Sequence, residues 1–220
     1  MWIRRCFTLI AFCLAIAMGG PAGAAAQGAE PGRAILVVGD SLSAEYGLQR
    51  GSGWVELLSR RLQAQGLDYQ IHNSSISGDT TSGGVARLPA ALERYKPGIV
   101  ILELGSNDAL RGLSLQMTRD NLARMVEMSQ QAGARVLLIG MQIPPNYGRK
   151  YAEQFQALFA EVAEKHGSGL APFLLEGIAT DKAMFQSDGI HPNESAQARI
   201  EENVWRHLEP MLKAGQPRRP

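Results

Sequence analysis

The feature of this sequence that most constrains its fold is a regular alternation of short apolar runs with longer amphipathic segments. Apolar runs of strand length cover residues 34–39, 69–74, 99–105, 135–141 and 169–175. Helical patterns lie between and after them, over residues 54–62, 85–95, 117–131, 151–166 and about 196–212. Strand–helix alternation with short connections predicts an α/β fold, built from βαβ units whose parallel sheet is covered on both faces.

The chain is predicted to form one domain. It has 220 residues, of which 45% are hydrophobic and 20% charged, as in a globular protein with a large core. Neither an internal repeat nor a low-complexity linker divides it. The formal net charge is +1 and no basic block stands out, so the sequence gives no reason to expect a nucleic-acid partner.

The N-terminus is typical of a secretory signal peptide. Arg4 and Arg5 precede an apolar stretch over residues 6–18, and small residues follow over 22–26. That stretch is too short to span a bilayer comfortably, and A-x-A-like cleavage sites end at Ala24 and Ala26. We therefore expect a signal peptide over 1–26, a single domain over 27–220, and a periplasmic or secreted protein with no stable membrane anchor after cleavage. A retained anchor is the alternative.

Cleavage would change both the charge and the cysteine content. Loss of Arg4 and Arg5 shifts the formal net charge from +1 to −1. Loss of Cys6 and Cys13 removes both cysteines, so the mature chain would have no disulfide and no Cys-based metal site.

Polar and glycine residues recur where the predicted strands end. Ser41 follows the first strand in Gly39-Asp40-Ser41, and the later strands run into residues 75–80, 105–108 and 143–148. Ligands of open parallel sheets bind beyond the carboxyl ends of the strands, so these segments could build one site. By itself, Ser41 could equally cap a turn or a helix.

Asp188 and His191 are the most informative pair. Gly189 between them allows a tight turn, in which the carboxylate could hold one imidazole nitrogen while the other accepts a proton from a serine. Alternatively, Asp188 is a turn residue and His191 merely precedes Pro192. The other histidines are weaker candidates, because they lie in a predicted strand or late in predicted helices: His72, His166 and His207.

Gly78 and Asn107 are candidate oxyanion-hole residues. Glycine lets a backbone N–H approach a substrate closely, and an asparagine amide donates hydrogen bonds without carrying a charge. The backbone N–H of Ser41 would be a third donor. For Gly78 alone, a simple turn role is the competing interpretation.

Four blocks in order, G-D-S-L-S, S-I-S-G-D-T, E-L-G-S-N-D and D-G-I-H-P, resemble the GDSL, or SGNH, hydrolase superfamily over about residues 34–212. By this resemblance, the functional residues of the family correspond to five positions here: the serine to Ser41, the glycine to Gly78, the asparagine to Asn107, the histidine to His191 and the acid to Asp188. Further segments resemble the secreted bacterial thioesterase/lysophospholipase/arylesterase subgroup: 86–90, 107–112 and 145–148. Ser106 and Glu45 depart from that subgroup's pattern, and Glu45 could alter substrate preference.

The resemblance implies a three-layer α/β/α sandwich with flavodoxin-like strand order 2-1-3-4-5 and a mobile loop after Asn107. It also implies a serine esterase or thioesterase acting on aryl esters, acyl thioesters or lysophospholipids, without cofactor or metal. Asp40 is expected to be structural. Five apolar residues could line an acyl groove or belong to the ordinary core: Leu110, Leu113, Ile143, Pro144 and Ile190.

Other functions remain in competition. A G-x-S-x-G hydrolase is disfavoured because Ser43 stands where that motif has glycine and because Asp188 is so near His191. A metallohydrolase needs several well-placed histidines, and only His191 qualifies. A carbohydrate O-acetyl esterase of the same fold and a non-catalytic periplasmic ligand-binding protein remain open.

Overall fold

A computed structural model describes residues 33–214. Its centre is a parallel five-stranded sheet with the strand order β2-β1-β3-β4-β5, which confirms the expected order. The strands are β1 (Ala34–Gly39), β2 (Gln70–Asn73), β3 (Ile99–Glu103), β4 (Arg135–Ile139) and β5 (Gly169–Ala171). The expected signal peptide lies outside the described residues.

Helices cover the sheet on both faces. They are α1 (Trp54–Ala64), α2 (Thr81–Tyr95), α3 (Ser106–Leu110), α4 (Leu115–Gln131), α5 (Arg149–His166) and α6 (Gln197–Ala214). Helix α1 packs against α6, while α4 packs against both α2 and α5. Short 3-10 turns lie at Pro145–Tyr147, Lys182–Met184 and Glu194–Ala196. The result is the predicted three-layer sandwich.

The core lies along the two central strands. Every residue of β1 and β3 is buried, and Trp54, Phe155 and Phe159 fill the space between the sheet and its helices. A strand buried on both faces needs a continuous run of apolar residues rather than an alternating pattern, which explains the sequence of β1. Burial of each large apolar side chain contributes about 1.5–3 kcal/mol to folding.

Helix α2 begins earlier than its sequence pattern predicts. It starts at Thr81 instead of Val85, and the Thr80 hydroxyl caps it by accepting a hydrogen bond from the Gly83 N–H at 3.4 Å. The first turn contains glycines, and glycine has poor helix propensity, so the sequence pattern did not indicate that the helix begins there. Gly84 is required by packing, since a Cβ there would lie 2.5 Å from a methyl carbon of Leu104.

The last strand ends earlier than expected. β5 stops at Ala171, not at residue 175, because Pro172 has no N–H to donate to a neighbouring strand. The short helix α3 was not predicted at all. Over residues 33–214, the structure contains no helix with the length and apolar character needed to cross a membrane.

Candidate active site

Ser41 lies in a tight turn directly after β1. The Asp40 carboxylate accepts a hydrogen bond from the Leu42 N–H at 3.0 Å, and the Ala44 N–H donates to the Asp40 carbonyl at 3.0 Å. Gly39 is fixed by close packing, because a Cβ there would lie 2.7 Å from both the Glu103 carboxylate and the Ser43 hydroxyl. The turn therefore presents Ser41 at the carboxyl edge of the sheet, half-buried.

The structure brings Ser41, His191 and Asp188 together, although the serine is 150 residues from the histidine. The His191 Nε2 atom is 3.0 Å from the Ser41 hydroxyl oxygen, and the Nδ1 atom is 2.7 Å from an Asp188 carboxylate oxygen. The other Asp188 oxygen accepts hydrogen bonds from the backbone N–H groups of Ile190 and His191. These backbone bonds and the imidazole contact lower the pKa of Asp188 to about 2, so its carboxylate is charged at neutral pH.

Gln186 fastens the histidine loop to the serine loop. Its backbone N–H donates to the His191 carbonyl at 2.8 Å, and its side-chain amide donates to the Tyr46 carbonyl at 2.8 Å. The chain at Gly47 passes so close that a Cβ there would lie 2.1 Å from the Gln186 amide oxygen. The loop that carries His191 and the loop that follows Ser41 are thus held in a fixed position relative to each other.

Asn107 lies on the short helix α3, and its side chain is oriented by Asp40. The Asn107 amide nitrogen donates to the second Asp40 carboxylate oxygen at 2.9 Å. A primary amide has two N–H donors, so one remains for another acceptor. Helix α3 is anchored from below by the buried Asp108, which accepts hydrogen bonds from the backbone and the hydroxyl of Thr81.

Gly78 lies in the loop between β2 and α2 with φ +77°, a backbone conformation that favours glycine. The nearest atom to a Cβ at this position would be an Arg111 nitrogen, 3.7 Å away, so the backbone angle and not crowding requires glycine. Arg111 donates a hydrogen bond to the Gly78 carbonyl at 2.8 Å. Nearby, the Ile76 N–H donates to the Gly39 carbonyl at 3.0 Å, which ties this loop to the end of β1.

Arg87 is a supporting residue whose role could not be predicted from the sequence. From α2, its guanidinium donates to the Asp79 carboxylate at 2.7 Å, to the Gly39 carbonyl at 3.2 Å and to the Ser74 carbonyl. It therefore connects the serine turn, the end of β2 and the Gly78 loop. Arg87 belongs to the segment 86–90, which resembles the thioesterase/lysophospholipase/arylesterase subgroup, but the chain segments that it joins could not be identified from the sequence.

Glu103 is the second supporting residue that sequence reasoning missed. It is fully buried at the end of β3, where one carboxylate oxygen accepts hydrogen bonds from the Asp40 N–H at 3.2 Å and from the Ser43 hydroxyl at 2.7 Å. Burial, with the neighbouring Asp40 charge, raises the pKa of Glu103 well above its ordinary value. Burial likewise raises the pKa of Asp40 to about 6. Two adjacent carboxyl groups thus lie beneath the serine turn.

The five apolar residues predicted to line an acyl groove differ in their surroundings. Ile143 is buried in the core, Leu110 and Leu113 are partly buried, and Pro144 and Ile190 are exposed. The Leu113 carbonyl accepts a hydrogen bond from the Tyr151 hydroxyl at 3.0 Å.

A cavity of about 400 Å³ lies beside the serine loop, and neither Ser41 nor His191 lines it. Its walls include Ala44, Glu45, Arg50 and Ser75. In the part of the chain between residues 33 and 214, no three His, Cys, Asp or Glu side chains are grouped so that they could hold a metal ion.

Of the two departures from the subgroup pattern, Glu45 has a structural explanation and Ser106 has none. Glu45 adopts a left-handed conformation with φ +57°, and its carboxylate accepts hydrogen bonds from the N–H groups of Gly51 and Gly53 at 2.8–3.1 Å. Ser106 is buried in the first turn of α3. The hydrogen bonds of the Glu45 carboxylate to Gly51 and Gly53 stabilise the loop between Glu45 and Gly53.

Comparison with known proteins shows the family of this chain. Residues 37–199, more than half of the chain, match the GDSL-like lipase/acylhydrolase family. The chain belongs to this family. It is therefore a hydrolase of acyl esters.

Individual known proteins are similar to this chain over most of its length. Esterase TesA of Pseudomonas aeruginosa is 51% identical over 178 residues, which cover 81% of this chain and 89% of that one. Thioesterase 1/protease 1/lysophospholipase L1 of Escherichia coli K12 is 39% identical, covering 81% of this chain and 84% of its own. The crystal structure of the psychrotrophic esterase EstA from Pseudoalteromonas sp., inhibited by monoethylphosphonate, superposes with a TM-score of 0.79 at 40% identity, covering 82% of this chain and 99% of that one.

Proposed function

We propose that this family member hydrolyses acyl esters and thioesters with Ser41 as nucleophile, His191 as general base and acid, and Asp188 as the carboxylate that orients His191. The observation that carries the proposal is the continuous line of contacts from Ser41 Oγ to His191 Nε2 at 3.0 Å and from His191 Nδ1 to Asp188 at 2.7 Å. A nucleophile within hydrogen-bond reach of a base that is itself oriented by an acid is the arrangement that activates serine.

In the first half of the reaction, neutral His191 accepts the Ser41 proton on Nε2 while Oγ attacks the ester carbonyl carbon. The bond between that carbon and the leaving oxygen or sulfur then breaks, and the leaving group takes the proton from His191. Asp188 remains charged, because its pKa is lowered to about 2, and it stabilises the imidazolium that forms between these steps.

In the second half, water hydrolyses the acyl-enzyme. His191 accepts a proton from water, whose oxygen attacks the acyl carbon, and the proton is returned to Ser41 Oγ as the acid product leaves. These steps use only side chains of this chain, so the proposal includes no metal and no cofactor.

The oxyanion that develops on the carbonyl would be bound by the Ser41 N–H, the Gly78 N–H and the Asn107 side chain. Two features support this assignment: Gly78 is held by Arg111 through its carbonyl, and the Asn107 amide is oriented by Asp40 with one donor left over. Donors fixed before the reaction stabilise the transition state without having to reorganise.

The substrates we propose are aryl esters, acyl thioesters and lysophospholipids. Support comes from relatives named esterase and thioesterase/lysophospholipase at 51% and 39% identity. The exposed apolar residues Pro144 and Ile190, with Leu110, Leu113 and Ile143, would contact the acyl chain. A carbohydrate O-acetyl esterase of the same fold is the alternative, whereas the expectation of a ligand-binding protein without catalysis is wrong, because the chain belongs to a family of acylhydrolases.

We further propose that the protein acts outside the cytoplasm. The support is the signal-peptide pattern of residues 1–26, with Arg4, Arg5 and the apolar stretch over 6–18. Cytosolic acyl-CoA would then be a poor candidate for the natural substrate.

The proposed function is tested by pre-steady-state hydrolysis of p-nitrophenyl esters of graded acyl length. We expect a burst of p-nitrophenol stoichiometric with enzyme for at least one ester, the one whose acyl-enzyme forms faster than water hydrolyses it. Ser41→Ala should show no burst, while EDTA should leave the wild-type burst intact. A burst retained by Ser41→Ala, or turnover lost with EDTA and restored by a divalent cation, would contradict the proposal. Acyl-CoAs and lysophospholipids of matched length would then rank the substrates.

A further inference from the structure

Tyr46 stands out among the residues around the candidate site because its ring rests on the general base. The centroids of the Tyr46 and His191 rings are 4.4 Å apart, with their planes inclined by 39°. Nevertheless, 50% of the Tyr46 surface is exposed. A large aromatic side chain that contacts a reacting group and still faces solvent leaves room for a ligand on its open side.

The backbone holds this tyrosine from both sides. Its N–H donates to the Ser41 carbonyl at 3.3 Å, and its carbonyl accepts the Gln186 amide at 2.8 Å. The preceding residue, Glu45, adopts the left-handed conformation that turns the chain towards His191. Non-glycine residues seldom adopt this conformation, and here the bonds from Glu45 to Gly51 and Gly53 stabilise it. The position of Tyr46 is therefore built into the loop.

The chemistry of the reaction decides which part of the substrate meets Tyr46. The protonated Nε2 of His191 must reach the leaving oxygen, so the leaving group has to lie beside the imidazole. The carbonyl oxygen points instead towards the Ser41, Gly78 and Asn107 donors. Since the Tyr46 ring packs against the imidazole, its exposed face adjoins the leaving group and not the oxyanion.

We propose that Tyr46 is a specificity-determining residue that forms the leaving-group subsite and favours esters of aromatic alcohols. Its exposed ring stacks on a planar apolar leaving group while Ser41 Oγ forms the new ester bond, the bond to the leaving oxygen breaks, and His191 delivers the proton. The inference rests on the proposed function, because it needs His191 to protonate the leaving group.

Two butyrate esters of equal bulk test this directly. Benzyl butyrate and cyclohexylmethyl butyrate carry the same acyl group, and only the benzyl leaving group can stack on an aromatic ring. We expect Tyr46→Leu to lower kcat/KM for the benzyl ester about three- to tenfold relative to the cyclohexylmethyl ester. Tyr46→Phe, which keeps the ring, should retain the wild-type ratio. An unchanged ratio in Tyr46→Leu would overturn the inference.

The rate of deacylation separates this role from a role in holding His191. Butyryl-enzyme no longer contains the leaving group, so its hydrolysis after a burst with p-nitrophenyl butyrate should be changed less than twofold by Tyr46→Leu. If deacylation and both acylation rates fall together, Tyr46 acts only through His191 and the inference is wrong. If the wild-type enzyme hydrolyses none of the p-nitrophenyl esters of graded acyl length, the proposed function itself fails.

A second measurement needs no variant. Alcohols that capture the acyl-enzyme enter through the leaving-group subsite, because this transfer is the reverse of acylation. We expect butyryl-enzyme to transfer to benzyl alcohol at least about threefold faster than to cyclohexylmethanol at equal concentration. Equal transfer to the two alcohols would contradict the inference.

Discussion

At the scale of single residues, Asn107 depends on Asp40 for its orientation. The 2.9 Å bond between the amide nitrogen and the Asp40 carboxylate leaves one N–H free to face a substrate. Asp40 itself is 1% exposed, and burial raises its pKa to about 6, so its carboxylate is charged above that pH. The expectation that Asp40 is structural is thus extended: it contacts both the serine turn and the candidate oxyanion donor.

We predict that Asn107→Ala lowers kcat by about 10²- to 10³-fold with a much smaller change in KM. The amide would meet the oxygen best after the carbonyl has become tetrahedral, so its loss affects the transition state more than the bound substrate. Steady-state kinetics on one ester, beside thermal unfolding, measures both effects. A folded variant whose kcat stays within about threefold of wild type, a loss under ~0.7 kcal/mol, would remove Asn107 from the site.

At the scale of elements, Arg87 joins helix α2 to two loops of the site. Its planar guanidinium makes three contacts in different directions, to Asp79, Gly39 and Ser74, and it is paired with Asp79 at 2.7 Å where both side chains are mostly buried. Lysine carries the same charge, but its single ammonium nitrogen cannot reproduce the arrangement of donors on a planar guanidinium.

We therefore predict that Arg87→Lys destabilises the fold by about 1–3 kcal/mol, because buried acceptors lose their partners, and also lowers kcat. Chemical denaturation and ester hydrolysis measure the two effects. Arg94→Lys is the matched control on the same helix, where Arg94 is exposed and lies 5.2 Å from the Tyr95 ring. Equal, small effects of the two substitutions would contradict a bridging role for Arg87.

Most of the elements could be predicted from the sequence, since long periodic segments such as 117–131 and 151–166 carry a clear helical pattern. The structure extends them only to Leu115–Gln131 and Arg149–His166. Strand order followed from the family resemblance and not from periodicity. Helix α3 was missed because five residues are too few to show a period, and the start of α2 because tertiary packing, not propensity, selects Gly84.

Some residues of the candidate site could be identified from the sequence, and others could not. Ser41, Asp188 and His191 could be picked out because their motifs are local in sequence. Glu103 and Tyr46 could not, because a strand-end carboxyl and a loop tyrosine have no signature until the fold places them beside residues far away in the chain. Whether Ile143 and its apolar companions form an acyl groove stays a prediction.

At the scale of the whole molecule, buried carboxyl groups link stability to pH. The pKa of Glu103 is raised above its ordinary value of 4.5, so the folded state holds this proton more tightly than the unfolded state. The resulting stabilisation is fully present below that ordinary value and is lost as the pH rises towards and through the raised value. Asp188 behaves oppositely, since its pKa is lowered from 3.8 to about 2: the resulting stability is fully present above the ordinary value and is lost as the pH falls below it and through the lowered value.

We predict that Glu103→Gln gains stability relative to wild type as the pH rises from 4 to 8, because glutamine has no proton to lose. Thermal unfolding at the two pH values should show the difference in Tm, variant minus wild type, increasing by at least about 2 °C. Glu93→Gln on the exposed surface of α2 is the control and should show no such trend. A difference that is constant with pH would contradict a buried, neutral Glu103.

The proposed export makes a prediction about the N-terminus. Expressed from Met1, the protein should be recovered outside the cytoplasm with a new N-terminus at Ala25 or Gln27, following the cleavage sites at Ala24 and Ala26. Mass spectrometry of the N-terminal peptide measures this. Recovery of the intact Met1 terminus in the soluble fraction would contradict it.

The most direct test of the central claim is covalent labelling of Ser41. Intact-mass spectrometry after treatment with a fluorophosphonate should show one adduct per molecule, in parallel with complete loss of esterase activity, and peptide mapping should place it on Ser41. Ser41→Ala should remain unlabelled, and His191→Ala should react far more slowly, because only a hydroxyl within reach of a base is activated. An adduct on another residue that abolishes activity, or an active enzyme that the reagent leaves unmodified, would contradict the account.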